Sequence, residues 1–234
     1  MRLLRTHHRC VAPSHIAHSV KPDPLDHGKR EKHARIFKTC ARSCATRGNF
    51  ARMQITELPR EVHKKGDHQG EFDAKPLLAF ALKGQNIGLV SEAGMPAVAD
   101  PGSSVVLAAH HLGIRVVPLV GPVSLLLALA ASGLNGQNFA FAGYLPQDSA
   151  ARLQRIRELE TLATKTGQTQ IFIETPYRNR ALWEALLKGL QPNTRLARAS
   201  GLTLPTMDVQ CHAVKDWRQS VAIGDAPTVF AIGK

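Results

Sequence analysis

From residue 54 onwards, hydrophobic positions fall into short runs of two kinds. Continuous apolar runs, typical of buried strands, alternate with runs at helical spacing, and Gly or Pro links separate them. We expect Ser103 or Ser104 to cap the second helix, and Pro122 to lie in the first turn of the third. Such alternation predicts a parallel sheet covered on both faces, with ligands beyond the carboxyl ends of its strands. The predicted helix, strand, helix, strand and helix are KPLLAFALKG, NIGLVS, SSVVLAAHHLG, IRVVPLV and PVSLLLALAASG.

A second alternating block follows the turn-rich NGQN at residues 135–138. Its predicted elements alternate strand and helix twice and end in three short strands: FAFAGYLP, SAARLQRIRELETLATKTG, QTQIFIET, YRNRALWEALLKGL, TRLARAS, DVQCHAV and PTVFAIG. The Gly-Asn cluster separates two self-consistent α/β units, so we place a domain boundary there. The predicted domains are residues 54–134 and 135–234, with a ligand cleft between them.

Residues 1–53 differ from the rest in charge and patterning. They hold 12 Lys and Arg against 3 Asp and Glu, whereas the remaining residues hold 18 against 15. The net charge of +12 therefore belongs mainly to this segment. It shows no sustained periodicity of the helical or the strand kind. We treat residues 1–53 as an atypical basic segment.

Several interpretations of this basic segment stay open. The segment is a tail that contacts phosphates, a disordered extension, a genuine divergence from relatives, or a stretch produced by a misread frame or a wrong start. A metal site at Cys40, Cys44 and His33 is a weaker interpretation, because CARSC has no matching second pair. A secretory signal would need an apolar core that the segment lacks.

The compartment follows from apolar run lengths and cysteine usage. The longest apolar stretch is interrupted by Pro118, Gly121 and Pro122, so we expect no membrane span. The four cysteines do not suggest a disulfide framework in a chain of 234 residues. A reducing, cytoplasmic location is the expectation.

The segment GLVSEAGMPAVADPGSSVV, residues 88–106, concentrates Gly, Pro and acidic residues after a predicted strand. Glycines there let the backbone approach a ligand, and prolines hold the shape of the loop. The alternative is a tight connection in which Asp100 caps the next helix. A second Gly-Pro loop, VGPVS at residues 120–124, follows the next predicted strand. Two such loops at corresponding edges favour a shared pocket.

Four motifs carry a resemblance to a known family: GLVSEAGMPAVADPG, GIRVVPLVGPVSLLLALAASGL, FAFAGYLP and FIETPYRNRALWEAL. In this order they resemble the tetrapyrrole (corrin/porphyrin) methylase superfamily. Within it they are most similar to the branch of ribosomal small-subunit RNA 2′-O-methyltransferases. The resemblance covers roughly residues 55–190 in order.

The resemblance implies a two-domain α/β fold with a mostly parallel N-terminal sheet and a mixed C-terminal sheet. S-adenosylmethionine would bind in the cleft between the domains of a homodimer. The implied activity is ribose 2′-O-methylation of ribosomal RNA. Alternatives are methylation of a tetrapyrrole or another small molecule, or a non-catalytic relative with an incomplete pocket. The implied cofactor contacts are Gly94, Met95, Pro96, Val98, Val123 and Ser124.

A further motif matches the family's Glu-Ser-Pro-(aromatic or His)-Arg sequence at a domain interface. Its substrate or interface residues here are Glu174, Thr175, Tyr177 and Arg178. His63 lies where the RNA-modifying branch has a His-rich loop.

This chain also departs from the family pattern. Relatives open with a hydrophobic strand and a Thr/Pro/Gly turn, and nothing in residues 1–53 resembles it, so the first strand is expected to be missing. Glu92 replaces an Asp and Met95 a Thr of the branch. A ribose hydroxyl must lose its proton during methylation, and a carboxylate or histidine within hydrogen-bond reach would help. Glu92 and Asp100 are the first candidates for this base, and His63 is the next. No metal site is predicted.

Overall fold

The computed structural model of the chain describes residues 2–5, 54–59, 72–91, 94–217 and 223–234. Within these residues the strands are β1 (Arg2–Arg5), β2 (Gln54–Glu57), β3 (Ile87–Val90), β4 (Phe139–Tyr144), β5 (Thr169–Glu174), β6 (Arg195–Ser200), β7 (Asp208–Ala213) and β8 (Thr228–Gly233). The α-helices are α1 (Ser103–His111), α2 (Ser124–Ser132), α3 (Ser149–Thr166) and α4 (Asn179–Gly189). The chain divides into two compact units, Met1–Pro122 and Val123–Lys234.

The first unit contains a sheet of order β2-β1-β3. Both pairings of β1 are antiparallel, so the prediction of a mostly parallel sheet is wrong for the described strands. Strand β1 lies between the other two strands, in a segment whose sequence pattern indicates no strand. The absence of the family's opening strand and its Thr/Pro/Gly turn stays a prediction. Hydrogen bonds on both sides define β1 although its sequence, RLLR, is too short to show a period.

The first unit has a small apolar core beside this sheet. Helix α1 packs against the 3₁₀ turn Lys75–Leu78. That turn and a second one, Ala81–Lys83, replace the single amphipathic helix that the sequence predicts. The fully buried apolar residues of this core are Leu58, Ala74, Leu78, Val105, Ala108 and Ala109.

The predicted strand IRVVPLV is absent from the structure. Residues 114–120 have no regular secondary structure, and Val120 is 94% exposed. Pro118 provides no backbone N–H for a strand ladder, so it disfavours a central strand at this position. The apolar run was therefore misread as a buried strand.

The second unit is built on a five-stranded sheet of order β4-β5-β8-β6-β7. Strands β4 and β5 pair in parallel, and the remaining neighbours are antiparallel. This mixed sheet confirms the prediction for the C-terminal half. All five strands and the helices α3 and α4 lie where the sequence pattern predicts them.

Helices cover the second sheet on both faces. Helices α3 and α4 cover one face through a cluster that includes Ile156, Leu186, Phe172 and Phe230. Burial of each such side chain contributes roughly 1.5–3 kcal/mol. Helix α2 covers the other face, against β6, β7 and β8.

The position of α2 explains where the two units divide. Its buried side chains Leu125, Ala128 and Leu129 belong to the core of the second sheet. The sequence places the boundary at residues 134–138, whereas the compact units divide one helix earlier, after Pro122. Helix α2 also begins at Ser124, so Pro122 precedes it rather than lying in its first turn.

Two polar features tie α3 into the second unit. Asp148 caps the helix, and its carboxylate accepts a hydrogen bond from Ala151 N–H at 2.9 Å. Farther along, the buried Glu160 carboxylate accepts hydrogen bonds from Gln191 N–H (2.7 Å) and the Thr194 hydroxyl (2.5 Å). Among the described residues, no helix is both long and apolar enough to cross a bilayer.

Candidate functional site

The loop from Gly94 to Gly102 holds left-handed backbone angles at four positions. φ is +76° at Gly94, +64° at Ala97, +54° at Ala99 and +133° at Gly102. Glycine adopts such angles freely, but an alanine there costs roughly 1–2 kcal/mol. Strain of this kind is typical of ligand-binding loops. The loop thus has a backbone geometry that a plain connection between two elements does not need.

Four predicted cofactor contacts lie in this loop. Gly94 and Val98 are exposed, while Met95 and Pro96 are half-buried. A hydrogen bond from Val98 N–H to Met95 O (3.3 Å) closes a turn between them. A Cβ added to Gly94 would meet no atom within 4 Å, so open space adjoins the backbone there. Their contact with a cofactor stays a prediction.

Asp100 does not cap helix α1. The helix begins at Ser103, its N-cap is Gly102, and no side chain caps it there. The expectation that Ser103 or Ser104 caps this helix is therefore wrong, and so is the alternative in which Asp100 caps it. The half-buried carboxylate of Asp100 is not used by the helix, which leaves it available for chemistry. The other candidate bases, Glu92 and His63, lie outside the described residues.

Val123 and Ser124 lie at the start of α2, in the second unit. Val123 is the N-cap in an extended conformation, and its carbonyl accepts the first helical hydrogen bond from Leu127 N–H at 2.9 Å. Its side chain is half-buried against the apolar core, whereas Ser124 is exposed. Amides at a helix start carry partial positive charge and attract anionic groups.

The motif at residues 174–178 forms a compact turn after β5. The fully buried Glu174 side chain accepts hydrogen bonds through Oε1 from Thr175 N–H (2.7 Å) and from the Thr175 hydroxyl (3.2 Å). Arg178 Nη2 lies 2.8 Å from the same Oε1 atom, and Arg178 Nε donates to Thr175 Oγ1 at 3.0 Å. The structure thus brings Glu174, Thr175 and Arg178 together.

The outer surface of this turn is aromatic and cationic. Tyr177 is 78% exposed, and the Arg178 guanidinium carbon lies 5.5 Å from its ring centroid. Such cation–π pairs are worth about 0.5–1 kcal/mol at exposed sites. The Arg178 side chain is 21% exposed, so one part of it reaches solvent while another binds the buried carboxylate.

Several residues near this turn were missed by the sequence analysis. Asn179, Ser200 and Thr228 form a hydrogen-bonded group beside Glu174. They come from distant parts of the chain, and no local motif joins them. The strained alanine Ala97 was also missed, because alanine gives no signal for a positive φ.

Metal ligation finds no support in the described part of the chain. No group of three or more His, Cys, Asp or Glu side chains is close enough there to hold an ion. The weaker metal interpretation, at Cys40, Cys44 and His33, falls on residues outside the described ranges.

Comparison with known proteins gives the family. The family description "Tetrapyrrole (Corrin/Porphyrin) Methylases" matches residues 27–210, well over half of the chain. The chain belongs to this family. The match begins inside the basic segment, where the sequence motifs showed no resemblance.

The names of individual relatives are more specific than the family description. The chain is 41% identical over 112 residues to the ribosomal RNA small subunit methyltransferase I of Vibrio cholerae serotype O1, covering 48% of this chain and 38% of the relative. It is 36% identical over 156 residues to the protein of the same name from Mesorhizobium japonicum, covering 66% and 52%. The chain therefore spans about two fifths to one half of these curated relatives.

Among solved structures, the methyltransferase CobJ superposes with a TM-score of 0.48 and 22% identity, over 69% of this chain and 70% of that one. This likeness is too slight to bear on function.

Proposed function

We propose that this protein is an S-adenosylmethionine-dependent methyltransferase that methylates a ribose 2′-hydroxyl of small-subunit ribosomal RNA. Family membership and the names of the relatives support the reaction class and the RNA substrate. The strained loop 94–102 is the structural observation that carries the proposal, because a plain connection would not retain two alanines at positive φ.

The residues of this loop fit the cofactor. Gly94 leaves open space at its α-carbon, and the half-buried Met95 and Pro96 offer apolar contacts beside it. We assign Gly94, Met95, Pro96 and Val98 to cofactor binding. Val123 and Ser124, at the start of α2, stay cofactor contacts predicted from the resemblance.

The chemistry needs positioning more than covalent help. When bound, S-adenosylmethionine supplies a methyl group on a sulfonium, which an aligned nucleophile displaces. The protein holds donor and acceptor at attack distance and excludes water. Asp100 is the candidate base that takes the proton of the ribose hydroxyl, since its carboxylate is half-buried and does not cap the helix. Glu92 and His63 stay candidates for the same role.

We assign substrate contact to the turn at residues 174–178. Arg178 uses Nε and Nη2 within the turn, and its Nη1 atom forms no hydrogen bond with any described residue. Guanidinium groups bind phosphate oxygens through such free edges. The exposed Tyr177 ring offers a stacking surface for an unpaired base. An aromatic ring beside a guanidinium suits single-stranded RNA.

The first experiment is a calorimetric titration of S-adenosylmethionine and S-adenosylhomocysteine into the purified chain. We expect a dissociation constant in the micromolar range, about −8 kcal/mol. A folded sample that binds neither compound would refute the enzyme and favour the non-catalytic alternative.

Transfer of a labelled methyl group then identifies the acceptor. Unmethylated small ribosomal subunits and a porphyrinogen are offered separately, each with labelled cofactor. Label in the ribosomal RNA is the expected result, and ribose analysis of the digested RNA gives the atom. Label in the porphyrinogen alone would establish the tetrapyrrole alternative instead. The interdomain cleft and the homodimer stay predictions from the resemblance, and the cytoplasmic location stays a prediction from cysteine usage and apolar run lengths.

A further inference from the structure

A row of polar residues crosses four strands of the second sheet. Glu174 of β5 is the register partner of Thr228 of β8, which pairs in turn with Ser200 of β6 and, through it, with Asp208 of β7. Side chains alternate along a strand, so Glu174 lies on the same face of the sheet as Phe172. Phe172 belongs to the apolar core that α3 and α4 cover. A polar row at the end of an apolar face has a cost that hydrogen bonding must offset.

Thr228 is the centre of this row. Its hydroxyl oxygen lies 2.9 Å from Ala226 O and 3.1 Å from Ser200 Oγ. The Asn179 side-chain amide donates to Ala226 O at 3.0 Å and to Thr228 Oγ1 at 3.3 Å. Asn179 is fully buried and Thr228 nearly so. The hydrogen bond between Asn179 and Thr228 therefore lies in a closed environment.

The same residue, Thr228, holds both ends of the turn that carries Arg178. Glu174 begins the turn and is the antiparallel register partner of Thr228. Asn179 follows Arg178 directly, begins α4, and reaches Thr228 with its side chain. The chain between Glu174 and Asn179 is thus tied at its start by a strand pairing and at its end by a side-chain hydrogen bond.

We infer that Thr228 and Asn179 are positioning residues that fix the Arg178 guanidinium. Arg178 makes its two inward contacts with Glu174 Oε1 and Thr175 Oγ1, both of which belong to the tied turn. A shift of the helix start would move the Arg178 backbone relative to both acceptors. The fixed guanidinium directs its remaining edge outwards, and the role of that edge in binding RNA rests on the proposed function.

A threonine offers a matched pair of substitutions at this position. Thr228→Val keeps the shape of the side chain and removes the hydroxyl, whereas Thr228→Ser keeps the hydroxyl and removes a methyl group. If the hydroxyl positions Arg178, the valine variant should lose the fixed orientation of the guanidinium and the serine variant should keep it. A role in packing alone predicts the opposite order.

The direct measurement is the Nε–H proton of Arg178 by nuclear magnetic resonance, assigned by its disappearance in Arg178→Lys. In the native protein Arg178 Nε donates to Thr175 Oγ1, so we expect this proton to exchange slowly with water. We expect exchange about tenfold faster in Thr228→Val and nearly unchanged in Thr228→Ser, since one net hydrogen bond is lost. Native exchange in the valine variant would overturn the inference. If that variant does not fold, Asn179→Ser, which shortens the side chain at the helix start, must give the fast exchange.

A second measurement separates this inference from the proposed function. Small-subunit ribosomal RNA is titrated against the native protein and both Thr228 variants at fixed salt. We expect about tenfold weaker binding for Thr228→Val, the loss of one oriented charged contact, with unchanged affinity for S-adenosylmethionine. Fast Nε–H exchange without any change in RNA binding would confirm the positioning role and refute RNA contact by this turn. Weaker RNA binding with native exchange would overturn the positioning role.

Discussion

Replacing Gly94 with alanine tests whether the strained loop holds the cofactor. Gly94 has φ +76°, and a Cβ built there meets nothing within 4 Å. In the free protein the new methyl group therefore causes no clash and only adds backbone strain, roughly 1–2 kcal/mol. In the complex it would occupy space that the proposed site gives to the ligand. The affinity of Gly94→Ala for S-adenosylmethionine should therefore fall by more than its loss of unfolding free energy accounts for.

Gly113 provides the matched control. It has φ +66°, is exposed, and also leaves open space around an added Cβ. It lies beyond the opposite end of α1, about 13 Å along the helix axis from the loop. Gly113→Ala should therefore carry the same strain, roughly 1–2 kcal/mol, without touching the site.

The two variants are compared by urea unfolding and by calorimetric titration of S-adenosylmethionine. We expect similar losses of unfolding free energy, and an affinity loss of at least about tenfold (1.4 kcal/mol) for Gly94→Ala alone. Native affinity in Gly94→Ala, with both variants equally destabilised, would refute the assignment of the loop. Equal affinity losses in both variants would show an indirect effect of stability.

Three further changes test other parts of the structure. Glu160→Ala should lower the free energy of unfolding in urea by about 3 kcal/mol, because the Gln191 backbone amide and the Thr194 hydroxyl lose their acceptor. The exposed control Glu158→Ala should lower it by under about 0.5 kcal/mol. Equal losses in the two variants would contradict this prediction. Ala97→Gly relieves roughly 1–2 kcal/mol of backbone strain, while the greater conformational entropy of the unfolded chain costs about 0.4–1 kcal/mol. The free energy of unfolding should therefore hold or rise, and cofactor affinity should fall because the loop is less fixed. Unchanged affinity would mean that strain has no role in binding. Burial raises the pKa of the Cys211 thiol, and the nearby Arg195 charge lowers it by less. The free energy of unfolding should therefore decrease as pH rises from the ordinary thiol pKa through the higher pKa of the folded state. A Cys211→Ala variant should not show this decrease.

The second unit could be predicted from sequence because its local signals agree. Strands β5 and β8 contain the apolar runs IFI and VFAI, and the amphipathic helix α4 has its apolar positions at helical spacing. The first unit gave weaker signals. Strand β1 has only four residues, and Pro118 lies in a run that otherwise resembles a strand.

The candidate site divides in the same way. The sequence marks the loop at Gly94 because glycine permits sharp turns and close approach of the backbone to a ligand. Ala97 could not be found, because the surrounding loop imposes its φ and the residue type gives no sign of it. The sequence left the role of Asp100 open between a base and a helix cap, because it cannot show whether a carboxylate reaches the helix amides.

The turn at residues 174–178 shows why a motif alone does not define a site. Its residues were recognisable from a local pattern, but Arg178 owes its orientation to Thr228, which lies far along the chain and pairs with Glu174 only through the strand register. Register depends on the whole sheet, and a one-residue slip would place Thr228 on the opposite face. The chain can therefore lose this orientation through substitutions that leave the motif intact. A relative with the motif but with valine at the position of Thr228 should show a mobile arginine, and this would be visible as rapid Nε–H exchange.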